Sequence, residues 1–205
     1  MAPAYKLIYF NIKARGEPAR LIFAQAGVKY EDYRLKDGEW DGMKAKTPMG
    51  QLPILEVDGK QLCQSRAIYR YLGKTFKMAG ANDWESAQCD MLADYIEDFF
   101  DKKAVPALFE KDEAKKKELQ EGIGKEHLPK FLKYFEDVLT KTGSGFLVGQ
   151  SVTWVDFMFM NGCEFFHNAY GEVFNKHPKC VAHNKKVCGL PNIKKWLETR
   201  PKTTN

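Results

Sequence analysis

Two hydrophobic rhythms divide the chain. In the first part short runs alternate apolar with polar residues, whereas beyond residue 82 apolar residues recur at helical spacing. Tyr5, Leu7 and Tyr9 alternate with Lys6 and Ile8 and predict a strand. A helix follows from Glu17-Pro18, because proline in a first turn forfeits no hydrogen bond, and it runs to Ala26 with Gly27 as its stop. Lys29 to Leu35 alternates again and predicts an edge or half-exposed strand. Lys36 to Met49 is polar and broken by Gly38, Gly42 and Pro48, so it reads as a loop with one helical turn around Trp40 to Lys46. Two apolar runs about Asp58-Gly59 predict a hairpin, with strands at Ile54 to Val57 and Gln61 to Cys63. Ser65 then caps a helix whose apolar positions are Ile68, Tyr71, Leu72 and Phe76. The order βαβαββα over residues 1–80 predicts a compact α/β domain.

Met78 to Asn82 is the linker, and strand-type alternation ends there. From Asp83 to Lys103 a helix carries Ala87, Met91, Leu92, Ile96 and Phe99 on one side. Another side gathers Asp90, Asp94, Glu97, Asp98 and Asp101, whose mutual repulsion costs a few tenths of a kcal/mol per pair, roughly. A divalent ion, basic residues of a partner subunit, or solvent and salt alone would each offset it. Val105-Pro106 ends this helix, and Lys111 to Gln120 is a solvated charge run. Leu128, Phe131, Leu132, Phe135, Val138 and Leu139 restore a helical face. Thr153 and Asp156 form a capping-box pattern, with Val152 placed as a staple, and start a Phe- and Met-rich helix reaching about His167. Helices over Lys176 to Cys188 and Pro191 to Arg200 complete an all-α domain over residues 83–205.

Composition narrows the function classes. With 44% hydrophobic and 29% charged residues the chain is globular, and a formal charge of +5, from 32 basic against 27 acidic residues, is too diluted to argue for nucleic acid. No basic run interleaves with aromatics, no uncharged stretch would span a bilayer, and Met-Ala-Pro-Ala-Tyr-Lys lacks a signal-peptide core. The expectation is a soluble, cytoplasmic protein that needs neither nucleic acid nor membrane. Five cysteines without a CxxC pair, and four histidines without ligand spacing, predict no disulfide framework and no metal.

Candidate chemistry lies in the α/β domain. Tyr9 and Arg15 flank a helix start, where unpaired N–H groups and the helix dipole favour an anion. A phenol there can donate to a thiolate or oxyanion, or serve only as a half-buried strand aromatic. Trp40 either anchors its loop on the core or lines a site. A cis Pro53 would turn the backbone of Leu52 outward, free to pair with a peptide-like ligand. Ser65 either caps its helix or receives a ligand carboxylate.

The Tyr-Lys-Leu-x-Tyr9-Phe10-Asn start, Trp40 followed by Lys44, Gly50-Gln-Leu-Pro-Ile-Leu-Glu-Val-Asp-Gly59, Gln64-Ser65-x-Ala-Ile68 and the Gly145-Phe-Leu-Val-Gly149…Thr153-Trp-Val-Asp156 box together resemble a glutathione transferase. The likeness covers essentially the whole chain and is closest to the sigma class, with its nematode-like members and glutathione-dependent prostaglandin D synthases. It implies a thioredoxin-like domain, a helical domain forming the electrophile pocket, a cytosolic homodimer, and conjugation of glutathione, as co-substrate, to small hydrophobic electrophiles. It assigns Tyr9 to stabilising the thiolate, with Phe10 and Arg15 flanking that pocket. Trp40 and Lys44 would hold the glycine end of the tripeptide, Gln51 and Leu52 its backbone beside cis Pro53, and Gln64 and Ser65 the γ-glutamyl group. Asp98 would reach the partner subunit's site.

One segment departs from the family. Its usual Arg-Gly-Arg-Ala-Glu is here Lys13-Ala14-Arg15-Gly16-Glu17, which alters the turn after Tyr9. The metal-linked acidic trio of the prostaglandin synthases would fall on Asp94, Glu97 and Asp98, but Val105 stands where their pocket tryptophan would be, which argues against efficient isomerisation. Two other readings compete with transfer: sequestration of haem or a lipophile by the aromatic helical half of a chain with 14 Phe, and a lens-crystallin-like structural role. Intact Tyr9, Arg15, Gln64 and Ser65 argue against the structural role.

Overall fold

A computed structural model describes residues 3–203 of the chain. They divide into two compact units, one taking in the chain as far as Ala79 together with the segment from Gly189 onward, the other Gly80–Cys188.

The first unit is built on a four-stranded sheet. Strand β1 (Tyr5–Phe10) leads through a single tight turn, Ala14–Gly16, into helix α1 (Glu17–Ala26). Gly27 closes α1 at φ 66°, with its N–H on the carbonyls of Phe23 and Ala24. Strand β2 (Glu31–Leu35), the short helix α2 (Glu39–Lys44), and the hairpin β3 (Ile54–Val57) and β4 (Lys60–Cys63) follow, then helix α3 (Ser65–Thr75). The strand order is β2-β1-β3-β4, with β1 parallel to β2 and antiparallel to β3. Asp58 and Gly59, at φ 48° and 78°, supply the two positive φ values that a type I′ hairpin needs.

Alternation along β1 works on two buried faces. Tyr5 meets Phe23 of α1, while Ile8 joins Leu35, Ile54 and Cys63 in a cluster covered by Phe10, Trp40 and Met43. Two readings of α3 are corrected. Gln64, not Ser65, is the capping residue, and Ser65 begins the helix proper. Tyr69 is buried and Tyr71 is 37% exposed, because Tyr69 lies on the stripe of Ser65, Ile68 and Leu72, whereas Tyr71 falls outside it.

The second unit is helical: α4 (Asp83–Phe99), α5 (Val105–Phe109), α6 (Glu113–Gly122), α7 (Leu128–Thr142), α8 (Trp154–Asn175) and α9 (Pro178–Cys188). Val105-Pro106 does not terminate α4 as its sequence suggests. A wide π-type turn over Phe100–Ala104 carries the chain on, and Pro106 sits in the first turn of α5, where its missing N–H costs nothing. The α8 helix also outruns His167, continuing to Asn175 past a non-helical Tyr170 (φ −141°, ψ 41°). Phenylalanines fill this core against one another: Phe99 meets Phe131 at 4.4 Å and Phe135 meets Phe159 at 4.3 Å between ring centroids.

Asp156 organises the start of α8. One carboxylate oxygen accepts from the Thr153 N–H at 2.7 Å and its hydroxyl at 2.9 Å, and the other accepts from Leu147 N–H and faces His183 Nε2, both at 2.8 Å. The reciprocal cap read from Thr153-x-x-Asp156 is thus also the tie between α8, α9 and the preceding loop.

The last helix, α10 (Pro191–Thr199), does not group with the other helices. It packs on α1, where Trp196 Nε1 donates to Glu17 at 2.8 Å and Arg200 pairs with the same oxygen at 2.9 Å. Among the described residues, no helix is long and apolar enough to cross a membrane.

A cleft lined by four stretches of the first unit

Four separated stretches meet at a cleft of ≈ 240 Å³. Phe10 and Arg15 come from the end of β1 and the turn after it, Trp40 from α2, Gln51, Leu52 and Pro53 from the approach to β3, and Gln64 and Ser65 from the start of α3. Met49, Gly50 and Cys63 complete the lining, though none of the three was given a role in a site by the sequence. The Trp40 ring packs edge-on against Phe10 at 5.6 Å and also lines the cleft.

Each stretch reaches the cleft for a local reason. The Leu52–Pro53 peptide is cis, and Pro53 is buried where the chain turns into β3. Gln64 holds φ 71° and ψ 112°, a conformation sparsely populated for a residue with a side chain, and this sets the direction in which α3 starts. Its amide donates to the Met49 sulfur at 3.5 Å. Ser65, 9% exposed, faces the cleft from the first position of α3, where backbone N–H groups lack helical partners and the dipole favours an anion. Burial pushes the Cys63 thiol up from its ordinary value.

Tyr9 and Lys44 do not line this cleft but stand beside it. Lys44 is exposed and passes over Gly50. The Tyr9 ring is buried, and its hydroxyl oxygen accepts from the Arg15 N–H at 3.3 Å. A Cβ on Gly16 would lie 2.4 Å from Tyr9 Cδ1, so the ring occupies a niche that only glycine leaves open. Ala14, two residues earlier, adopts φ 31°, and the Tyr69 hydroxyl donates to the Arg15 carbonyl at 2.5 Å. The departure at residues 13–17 thus places a glycine beneath the phenol ring.

Behind the ring lies Arg20, with no exposed surface. It donates to the Ile12 carbonyl at 2.7 Å and the Phe10 carbonyl at 3.4 Å, pairs with Asp32 at 3.0 Å and Glu17 at 3.3 Å, and stands 5.9 Å from the Tyr9 ring centroid. A buried guanidinium with this many acceptors fixes the backbone on both sides of Asn11. Sequence reading missed it because an arginine within α1 carries no motif.

Asp98, the remaining assigned residue, lies in the second unit on the exposed side of α4, in an ion pair with Lys102 at 2.8 Å. Among the described residues, no group of three or more His, Cys, Asp or Glu side chains could hold a metal ion.

Two family models match the chain, the glutathione S-transferase N-terminal domain over residues 5–74 and the glutathione S-transferase C-terminal domain over residues 97–200. Glutathione S-transferase 1 of Ascaris suum is 45% identical, with 98% of each chain covered. Among solved structures, the prostaglandin synthase D of Nilaparvata lugens superposes with a TM-score of 0.91 at 40% identity, covering 98% of this chain and 100% of that one. The monomeric Na-GST-3, a glutathione S-transferase of the hookworm Necator americanus, does so with a TM-score of 0.90 at 38% identity, over the same shares.

Proposed function

Since the chain belongs to the glutathione S-transferase family and is an enzyme of that kind, we propose that it conjugates glutathione to hydrophobic electrophiles in the cleft of its α/β unit, with Tyr9 as the group that stabilises the thiolate. The observation that carries this reading is the meeting of four distant stretches at one cleft beside a buried phenol. Ser65 and the first turn of α3 receive the γ-glutamyl carboxylate, Gln64 its amino end, the Leu52 backbone the peptide, and Trp40 and Lys44 the glycine carboxylate. Phe10 and Arg15 border the sulfur.

In the reaction the glutathione thiol releases its proton to solvent. The thiolate lone pair then forms the S–C bond as the leaving group departs with its electron pair. The Tyr9 O–H donates to the sulfur and favours its charged form, while the Arg15 N–H, given to the phenol oxygen, makes that phenol a stronger donor. Lowering a thiol pKa by two units removes about 2.7 kcal/mol from the cost of ionising it. A homodimer brings Asp98 to the partner subunit's cleft. Sedimentation would read the assembly, and a monomer would remove Asp98 from the site.

A second reading, prostaglandin isomerisation with the same thiolate, is favoured by the likeness to the Nilaparvata lugens enzyme. Val105, an exposed aliphatic residue with no ring to stack on a substrate, counts against it as the main activity. Sequestration of haem or a lipophile lacks comparable support, because Phe131, Phe135, Phe159 and Phe166 are consumed by the core. Replacing Tyr9 with Phe tests the main reading. Turnover with an aryl halide should fall and the pKa of bound glutathione, followed by thiolate absorbance, should rise; wild-type values for both would remove Tyr9 from the mechanism.

A further inference from the structure

Tyr69 has no place in the site assigned above, yet it touches the turn that holds Tyr9. It is 2% exposed, on α3, one helical turn after Ser65 and therefore on the same helix face. Its hydroxyl donates to the Arg15 carbonyl at 2.5 Å, and the N–H of Arg15 donates to the Tyr9 hydroxyl oxygen at 3.3 Å. Arg15 is thus held from α3 on one side and contacts the phenol on the other. The turn needs such a hold: Ala14 sits at φ 31°, in the left-handed region that disfavours a side chain, and such backbone persists only where neighbours over-determine it.

We propose that Tyr69 is a positioning residue for the thiol chemistry, fixing the Arg15 peptide so that its N–H stays on the Tyr9 oxygen. The inference rests on Tyr9 acting as the thiolate donor. It also links the γ-glutamyl end of the bound tripeptide to its sulfur through α3, because the helix that begins at Ser65 is the one that steadies the turn beside Tyr9. A ligand that orders the first turn of α3 would thereby order the donor.

The experiment is a double-mutant cycle on the full chain with Tyr9→Phe, Tyr69→Phe and the pair. Tyr69→Phe keeps the ring and removes only the hydroxyl, and a thermal melt checks that the fold survives. In that variant the expected result is a rise in the pKa of bound glutathione, a fall in kcat of about three- to tenfold at pH 6.5, and a KM for glutathione within about twofold of wild type, since one neutral hydrogen bond is at stake. With Tyr9 already Phe, Tyr69→Phe should add almost nothing, because its effect passes through that hydroxyl. Full additivity, or an unchanged thiol pKa in Tyr69→Phe while Tyr9→Phe raises it, overturns the positioning role alone. A silent Tyr9→Phe overturns the underlying assignment instead. A second measurement leaves Tyr69 untouched: the Arg15 amide resonance should move in Tyr9→Phe, and a fixed resonance would break the chain of contacts.

Discussion

Adding one methyl group at residue 16 tests the placement of the phenol most directly. In Gly16→Ala the new Cβ would stand 2.4 Å from Tyr9 Cδ1, 2.9 Å from Cγ and 3.2 Å from Arg20 Cζ. Ordinary carbon contacts begin near 3.5 Å, so something must retreat by about 1.1 Å (3.5 − 2.4). Arg20 cannot be what yields, since it is fully buried and bonded to the carbonyls of Phe10 and Ile12 and to two carboxylates. The Tyr9 ring is the softer neighbour, and its 3.3 Å contact with the Arg15 N–H would be stretched beyond hydrogen-bond range. Overpacking of this kind costs about 1–3 kcal/mol, which for a chain of this size lowers the melting temperature by roughly 2–12 °C. A donor displaced by ~1 Å can cost up to about 100-fold in rate, so kcat with an aryl halide should fall about 10- to 100-fold while KM for glutathione changes little. Steady-state kinetics with a parallel melt read both quantities. An early melt with wild-type kcat would show that the ring's position does not limit the reaction, and wild-type values in both would refute the packing of Tyr9 on Gly16.

Three further expectations concern the helical unit. Asp156→Ala strips four donors of their buried acceptor, and urea unfolding should show a loss of about 3–5 kcal/mol; a loss below about 1 kcal/mol would mean that the carboxylate is not the hub its contacts suggest. Burial pushes the Cys89 and Cys180 thiols up to about 12, and that of Cys163 well up too, so a disulfide reagent at pH 8 should label none of the three until the chain unfolds. The same shifts have a stability sign. The folded chain keeps the Cys89 and Cys180 protons above pH 9 while the unfolded chain loses them, so stability is full below about pH 9 and falls between about pH 9 and 12, by about 1.4 kcal/mol per pH unit for each thiol. A flat stability curve across that range would contradict the burial of these side chains.

Local chemistry was legible in the sequence where it is self-contained. Asp58-Gly59, Gly27 after α1 and Thr153 with Asp156 each specify a turn or a cap within a few residues, and each forms as read. Contacts that close over long separations left no such mark. Nothing about Glu17 announces that it will meet Trp196, 179 residues away, and an arginine in α1 looks like a surface residue until its four acceptors are seen. The π-type turn at Phe100–Ala104 was hidden because it keeps nearly helical spacing, and Pro106 signals a stop only when the first turn of a new helix is not considered. Residues brought to the cleft, such as Trp40, Pro53 and Ser65, could be suspected one by one from their chemistry. Their meeting in one place depends on the sheet order, which no single stretch encodes.

The return of α10 to α1 bears on how the polypeptide is made. As the chain leaves the ribosome, the sheet and α1 emerge first, but the indole and guanidinium that satisfy Glu17 follow only after the whole helical insert has been synthesised. Until then a carboxylate that ends 1% exposed has Arg20 but lacks these later donors. The α/β unit is therefore discontinuous in the gene and completed last. A fragment cut at Ala79 should hold its strands less firmly than its contiguous sequence suggests, and restoring Gly189 onward in trans should tighten it.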